Sequence, residues 1–270
     1  MSEPSPTLEI TPFTLGDARC LPWPDSSVDC IVTSPPYWGQ RDYGHPDQIG
    51  LEPTWVDYVA NMEKVGAEMR RVLRPDGTLW LNLGDTFNTR TVIRPSSHQA
   101  GLGHDTESTR LSWAEARDLG LVRYSARQPG YKDKDLMGLP WRVAMAFVAQ
   151  GWYLRADIIW AKPYCAPENA PDRPRRMHEY VFLLTPSERS RYRRDATHPG
   201  SVWTIGPTAS GTDHTASFPD ELVRRCIIPS TSPGDVVADP FGGSGTTARV
   251  ATESGRVGWS LDLRPWSVTS

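Results

Sequence analysis

The chain predicts an α/β fold built on a mostly parallel sheet, and three observations carry that expectation. Its 270 residues suit one large domain, or one domain with an insertion. Short β-branched runs alternate with longer amphipathic segments, the pattern of strand–helix–strand units. One strand-to-helix joint, "DVVADPFGGSGTT" (235–247), is rich in glycine.

The elements follow in order. "VDCIV" (28–32), bounded by "PDSS" and "SPP", reads as a buried strand. Residues 54–74 read as a helix with Thr54 as its N-cap, and Val56, Val59, Met62, Met69, Val72 and Leu73 lie near one face. "RPDG" is a turn, and "TLWLNLGD" (78–85) is the next strand. From Asn88 to Asp135 the pattern dissolves into polar sequence without a period, which marks a functional loop or an insertion. A helix resumes over 136–150, with Pro140 near its first turn. "YLRADIIWA" (153–161) and "HEYVFLLT" (178–185) are strands, and "FPDELVRRCII" (218–228) is a helix. "DVVADPF" is a strand, "GGSGTTARVATES" turns into a helix, and "RVGWSLDL" (256–263) is the last strand.

Composition narrows the class. Hydrophobic residues make up 38%, enough for a core but low enough that some segments are polar and loose. No apolar run reaches the ~18 residues of a membrane span. The start, "MSEPSPTLEI", lacks a basic-then-apolar signal pattern, so a soluble intracellular protein is expected. Cys20, Cys30, Cys165 and Cys226 show no metal spacing and read as reduced, mostly buried thiols. No metal site is expected. The formal charge of −3 argues against a general polyanion binder. Positions 173–194 nevertheless hold seven arginines against Glu179 and Glu188, interleaved with Tyr180, Phe182 and Tyr192. That stretch suits either a solvated face or a nucleic-acid surface.

The Gly-rich joint has a chemical reading. Glycines let a backbone approach a ligand, and a helix start offers unpaired N–H groups. Asp262 ends the next strand some 20 residues later, the spacing at which a carboxylate holds a ribose hydroxyl. Neither the P-loop pattern nor GxGxxG fits "GGSGTT", and a Gly turn can also be a mere tight connection. The other special feature is "TSPPYW" (33–38), a rigid corner directly after a buried strand.

With "LGDARCLPWPDSSVDCIV" upstream and "RVLRPDG" downstream, this corner resembles the DNA amino-methyltransferases that use S-adenosylmethionine. In that family a [D/N/S]PP[Y/F/W] tetrapeptide is catalytic and an FxGxG turn binds the cofactor. Here the catalytic motif comes first, as in the β group. "GWYLRADIIWAKP", "RMHEYVFLL" and "HTASFPDELVRRCI" are similar to segments of N4-cytosine members, and the resemblance runs from Leu15 to Ser267. Family members continue the last helix beyond the "RPWSVTS" at which this chain stops.

The resemblance implies a Rossmann-like, class I methyltransferase fold in circularly permuted order, with helices on both faces and an irregular insertion. It implies a catalytic and cofactor-binding domain of 11–85 with 136–270, interrupted by a polar insertion at 86–135 that is mobile or contacts DNA. Residues 185–213 are the candidate target-recognition segment. Ser34, Pro35, Pro36 and Tyr37 are the catalytic candidates. An exocyclic amine is a poor nucleophile, so the enzyme must hold it in line with the methyl group and accept its hydrogens. Ser34 Oγ and the Pro35 carbonyl suit that task, and Tyr37 can stack on a flipped base. Trp38 either supports that stack or packs beneath it. Cofactor candidates are Asp17, Thr33, His214, Phe218, Pro219, Asp239, Phe241, Gly243, Ser244 and Asp262. DNA-binding candidates are Arg175, Arg176, Arg191, Arg193 and Arg194.

In the family that the chain resembles, serine at the first motif position is commoner among N4-cytosine enzymes and aspartate or asparagine among N6-adenine enzymes, so the resemblance favours cytosine N4. A serine hydroxyl can donate as well as accept, whereas a carboxylate only accepts. C5-cytosine chemistry needs a cysteine nucleophile, typically after proline, and no Pro-Cys step occurs. RNA or protein-glutamine methylation and a silent DNA-binding relic are the more distant alternatives. Expected partners are double-stranded DNA and a cognate restriction endonuclease acting independently, with no membrane. The expected location is the cytoplasm, with a prokaryotic or phage gene.

Overall fold

The structure is a computed structural model that describes residues 13–89, 92–95, 123–124, 127–165, 170–196, 200–206 and 218–264. The elements are β1 (Phe13–Leu15), β2 (Val28–Thr33), β3 (Arg41–Asp42), α1 (Trp55–Val72), β4 (Leu73–Leu83), β5 (Val92–Pro95), β6 (Arg123–Tyr124) and α2 (Leu139–Ala149). They continue with β7 (Tyr153–Ala161), β8 (His178–Thr185), β9 (Val202–Thr204), α3 (Asp220–Ser230), β10 (Val236–Asp239), α4 (Thr246–Glu253) and β11 (Val257–Asp262).

Eight strands form one sheet in the order β1-β11-β10-β2-β4-β8-β7-β9. β8 runs antiparallel to β4 and β7, and the other pairings in this sheet are parallel. Alternating side chains build a core on each face. Ile31, Leu79, Leu81, Phe182 and Leu184 pack with Met62, Val65 and Met69 of α1 and Val143 and Phe147 of α2. Cys30, Val32, Trp80, Val181 and Leu183 pack on the other face with Leu222 and Val223 of α3 and Val250 and Ala251 of α4. Each large apolar side chain so buried contributes roughly 1.5–3 kcal/mol. No helix of the described residues is long and apolar enough to cross a membrane.

The connections fix where a site can form. From β2 the chain crosses through α1 to β4 in one direction, and from β10 through α4 to β11 in the other. Crossovers of the same hand in opposite directions put α1 and α4 on opposite faces. β2 and β10 are neighbours. A crevice opens at their carboxyl ends, where doubly wound sheets bind ligands.

Several expectations need correction. Val56 is 54% exposed; the buried face of α1 is Tyr58, Met62, Val65, Gly66, Met69 and Val72. Met62, Met69, Val72 and Leu73 are buried as expected, Val59 is half-buried, and Tyr58, Val65 and Gly66 complete the face at three- and four-residue steps. Thr54 does cap α1, its hydroxyl accepting the Asp57 N–H at 3.1 Å. "RPDG" lies within β4, where the pairing with β2 shifts register. β1 and β9, too short to show alternation, were not expected. Cys30 and Cys226 are buried, but Cys20 is exposed and Cys165 half-buried. In the insertion, β5 and β6 join β3 in a small sheet. Asn88 ties its two ends together: Nδ2 donates to the carbonyls of Tyr131 and Lys132, and Oδ1 accepts the Gln128 N–H.

Candidate active site

Asp239, at the end of β10, is 2% exposed. Its Oδ1 accepts the Thr33 hydroxyl at 2.6 Å and the Phe241 N–H at 3.0 Å, and its Oδ2 accepts the Thr247 hydroxyl at 3.0 Å. One carboxylate thus joins the ends of β2 and β10 to the start of α4. Burial pushes its carboxyl up to about 6, against the pull of these donors and with help from the Asp262 charge. The folded chain therefore holds this proton more tightly than the unfolded chain does. Asp239 makes stability fall as pH rises from about 4 to about 6, by about 3 kcal/mol in all. Urea unfolding of wild type and Asp239→Asn across that range should show the wild type losing ground to the variant as pH rises. Parallel curves would refute this assignment.

Asp262, ending β11, accepts the Gly243 N–H at 3.0 Å and the Arg264 N–H at 3.2 Å. The turn lies directly on β11: a Cβ at Gly242 would sit 1.7 Å from Ser260 Oγ. That hydroxyl is buried with no hydrogen-bond partner among the described residues. Phe241 packs half-buried on the core, and Ser244 is exposed at the helix start. Asp17 follows β1, the neighbour of β11, and so reaches the same edge. Burial alone would raise its carboxyl. The Arg19 guanidinium and N–H, at 2.5–3.0 Å, outweigh that and hold it below the usual range. Phe218 and Pro219 are buried at the start of α3, which leads into β10 and so begins at the carboxyl edge. His214 lies outside the described residues.

The corner after β2 faces this cradle. Tyr58 donates its hydroxyl to the Pro36 carbonyl at 3.1 Å, whereas the Pro35 carbonyl has no donor among the described residues. Ser34 is half-buried, and its hydroxyl donates to the Tyr37 oxygen at 3.2 Å. Tyr37 lies beside Gly84, and its hydroxyl meets Asn82 Oδ1 at 3.0 Å and Glu179 Oε2 at 2.7 Å. Trp38 is buried, with its indole N–H on the Glu52 carbonyl at 3.0 Å. Asn82, Glu179 and Lys162 were not singled out in the sequence, nor was Thr247. The available signals were an asparagine inside "TLWLNL" and a glutamate at the head of "EYVFLL".

The basic candidates divide. β8 enters at the carboxyl edge, so Arg175 and Arg176 just before it lie beside the site. Arg176 approaches Asp85 at 3.7 Å, and Asp85 also accepts the Gly138 and Leu139 N–H groups at 3.0 Å at the start of α2. Arg175 is exposed, with a contact to the Met177 sulfur. Arg191 and Arg193, expected at a DNA face, lie at the opposite, amino edge and pair within the fold. Arg191 bridges Asp76 (2.5 Å), Asp29 (3.2 Å) and Asp235 (3.4 Å). Arg193 donates to the carbonyls of Ile228 and Thr231. Arg194 opens the short turn 194–196 directly after them. Of the stretch 185–213, residues 186–196 thus follow the amino edge, β9 joins the far edge of the sheet, and 197–199 and 207–213 lie outside the described residues. Arg191→Ala should cost about 1–2 kcal/mol in urea unfolding, because Asp29 is buried, and leave the salt dependence of DNA binding unchanged. A flatter salt slope would return Arg191 to the DNA face.

Permuted crossovers that bring a Gly turn and an SPPY corner to one crevice define a class I methyltransferase. The chain belongs to the N6/N4 DNA methylase family, whose model, described as DNA methylase, matches residues 28–264. It is 40% identical to the Type II methyltransferase M.Cfr9I of Citrobacter freundii, over 98% of this chain and 87% of that protein. Two solved structures share the fold. The PvuII cytosine-N4-specific DNA methyltransferase matches with a TM-score of 0.68 at 21% identity, covering 94% of this chain and 82% of its own. A putative DNA modification methylase of Thermus thermophilus, complexed with S-adenosyl-L-methionine, matches with a TM-score of 0.60 at 24% identity, covering 94% and 88%. S-adenosylmethionine is the methyl donor of this family, and the Gly turn between two strand-end carboxylates fits such a group.

Proposed function

We propose that the chain methylates the N4 amine of a cytosine flipped out of duplex DNA. The carrying observation is the Ser34 hydroxyl, whose hydrogen points inward to Tyr37 while the Pro35 carbonyl next to it has no donor among the described residues. Two acceptors side by side suit the two hydrogens of an exocyclic amine, and the serine of the SPPY corner, as in the N4-cytosine-like members it resembles, supports cytosine over adenine.

When bound, S-adenosylmethionine supplies a methyl group on a positively charged sulfur. The turn Phe241–Ser244 would hold its methionine end, with Thr33, Asp239, Phe218 and Pro219 lining that part of the crevice, while Asp262 would accept from the ribose hydroxyls and Asp17 would meet the adenosine edge. Ser34 Oγ and the Pro35 carbonyl accept the amine hydrogens, which localises the nitrogen lone pair for in-line displacement. The Tyr37 ring supports the flipped base. Arg175 and Arg176 meet phosphates at the rim of the crevice, each worth about one unit of salt slope. Kinship to a Type II methyltransferase supports a restriction endonuclease of the same recognition sequence as an independent partner.

The test is methyl transfer to duplex DNA followed by nucleoside analysis. N4-methylcytosine is expected. N6-methyladenine would overturn the base assignment, and label confined to RNA or protein would overturn the DNA reading.

A further inference from the structure

Glu179 is the second residue of β8, and its side chain is 18% exposed. Its Oε1 pairs with Lys162 Nζ, which also lies 4.4 Å from the centre of the Trp160 ring. Its Oε2 accepts the Tyr37 hydroxyl at 2.7 Å and Asn82 Nδ2 at 3.1 Å. Asn82 Nδ2 also donates to the Tyr180 carbonyl at 3.1 Å.

A phenol carries one hydrogen. That of Tyr37 has two acceptors in reach, and the shorter, charge-assisted bond to Glu179 holds it. Burial, with the Glu179 charge beside it, pushes the phenol well above its usual range, so it keeps this hydrogen. The phenol oxygen is then an acceptor on its other side, where Ser34 Oγ donates. The serine also has one hydrogen, and it is committed inward. Both of its lone pairs are left for a substrate.

We infer that Glu179, acting through the Tyr37 hydroxyl, fixes the Ser34 hydroxyl as an acceptor for the target amine, while Lys162 and Asn82 hold Glu179 in place. The inference rests on the amino-methylation reading above. Glu179 touches no substrate and is a positioning residue. A serine free to turn can instead donate to the ring nitrogen beside the amine, a contact that does nothing to localise the amine lone pair.

Glu179→Gln tests this. With its oxygen kept toward Lys162, the amide turns a donor toward the phenol and reverses the chain of hydrogen bonds. Single-turnover transfer to duplex DNA should slow roughly ten- to hundredfold, with KM for DNA and for S-adenosylmethionine within about twofold of wild type. Tyr37→Phe, which keeps the ring, should also slow transfer. The double variant should be no slower than the slower single one, because both break the same path. Losses that multiply, or a Glu179→Gln rate equal to wild type, would overturn the inference. If Glu179→Gln does not fold, a Tyr37→Phe rate equal to wild type overturns it alone. Wild type run in parallel separates the two failures: no label in its DNA removes the amino-methylation reading as well, whereas equal label in wild type and variant removes only the relay.

Discussion

Gly258→Ala is expected to lower stability by about 3 kcal/mol and to weaken S-adenosylmethionine binding more than tenfold. A Cβ at this position on β11 would lie 2.3 Å from the Ala248 carbonyl oxygen, 2.7 Å from its Cα and 2.8 Å from its carbonyl carbon. These are backbone atoms of α4, so no rotamer change relieves the overlap, and the helix itself must move. α4 begins at the cradle. Its Thr247 hydroxyl bonds both the Val32 carbonyl and Asp239, so moving α4 pulls on the ends of β2 and β10 together. Gly206→Ala is the control, because a Cβ there meets only Pro163 Cγ at an ordinary 3.6 Å. It should change stability by no more than about 0.5 kcal/mol. Urea unfolding and calorimetric titration of the cofactor check both variants. If Gly258→Ala matches the control in stability and affinity, the helix–strand contact does not support the site.

The sequence carried most of the sheet, and the reasons differ by element. β7 and β8 are legible to the residue because β7 alternates between Gly151 and Pro163 and β8 carries the apolar run VFLL up to Thr185-Pro186. The helix at Thr54 is legible because its cap is local. β1 and β9 pair only through partners far along the chain, Ser260–Asp262 and Ile159–Ala161, and three residues hold no period. The arginines show the same limit. Arg191 looks alike in sequence whether it meets a phosphate or a carboxylate. Its partners Asp29 and Asp76 stand 162 and 115 residues away, so the sheet has to be assembled before the pairing appears. Asn82 and Glu179 are different. A polar residue inside an apolar strand is visible in sequence, but what it holds is not. The SPPY corner and the Gly turn were legible as motifs, and their direct bond through Thr33 and Asp239, 206 residues apart, was not.

Ser34→Ala should lower the transfer rate by roughly 10²–10⁴-fold while leaving cofactor affinity within about twofold of wild type. The two effects separate because of how the crevice is built. The cradle is held to β2 by Thr33, one residue earlier, whose bond to Asp239 does not involve Ser34. The Pro35–Pro36 backbone fixes the corner without the serine side chain, and Tyr58 anchors it from below. Alanine therefore removes one acceptor and little else. The Pro35 carbonyl still takes one amine hydrogen, so residual activity above background is expected. Ser34→Thr restores a hydroxyl with an added methyl group, and its rate should lie between the two. Single-turnover transfer to duplex DNA, with cofactor binding measured separately, reads each quantity. A Ser34→Ala rate within threefold of wild type would mean that the amine is activated elsewhere. An equal fall in cofactor affinity would mean that the corner and the cradle are one unit rather than two joined through Thr33 and Thr247.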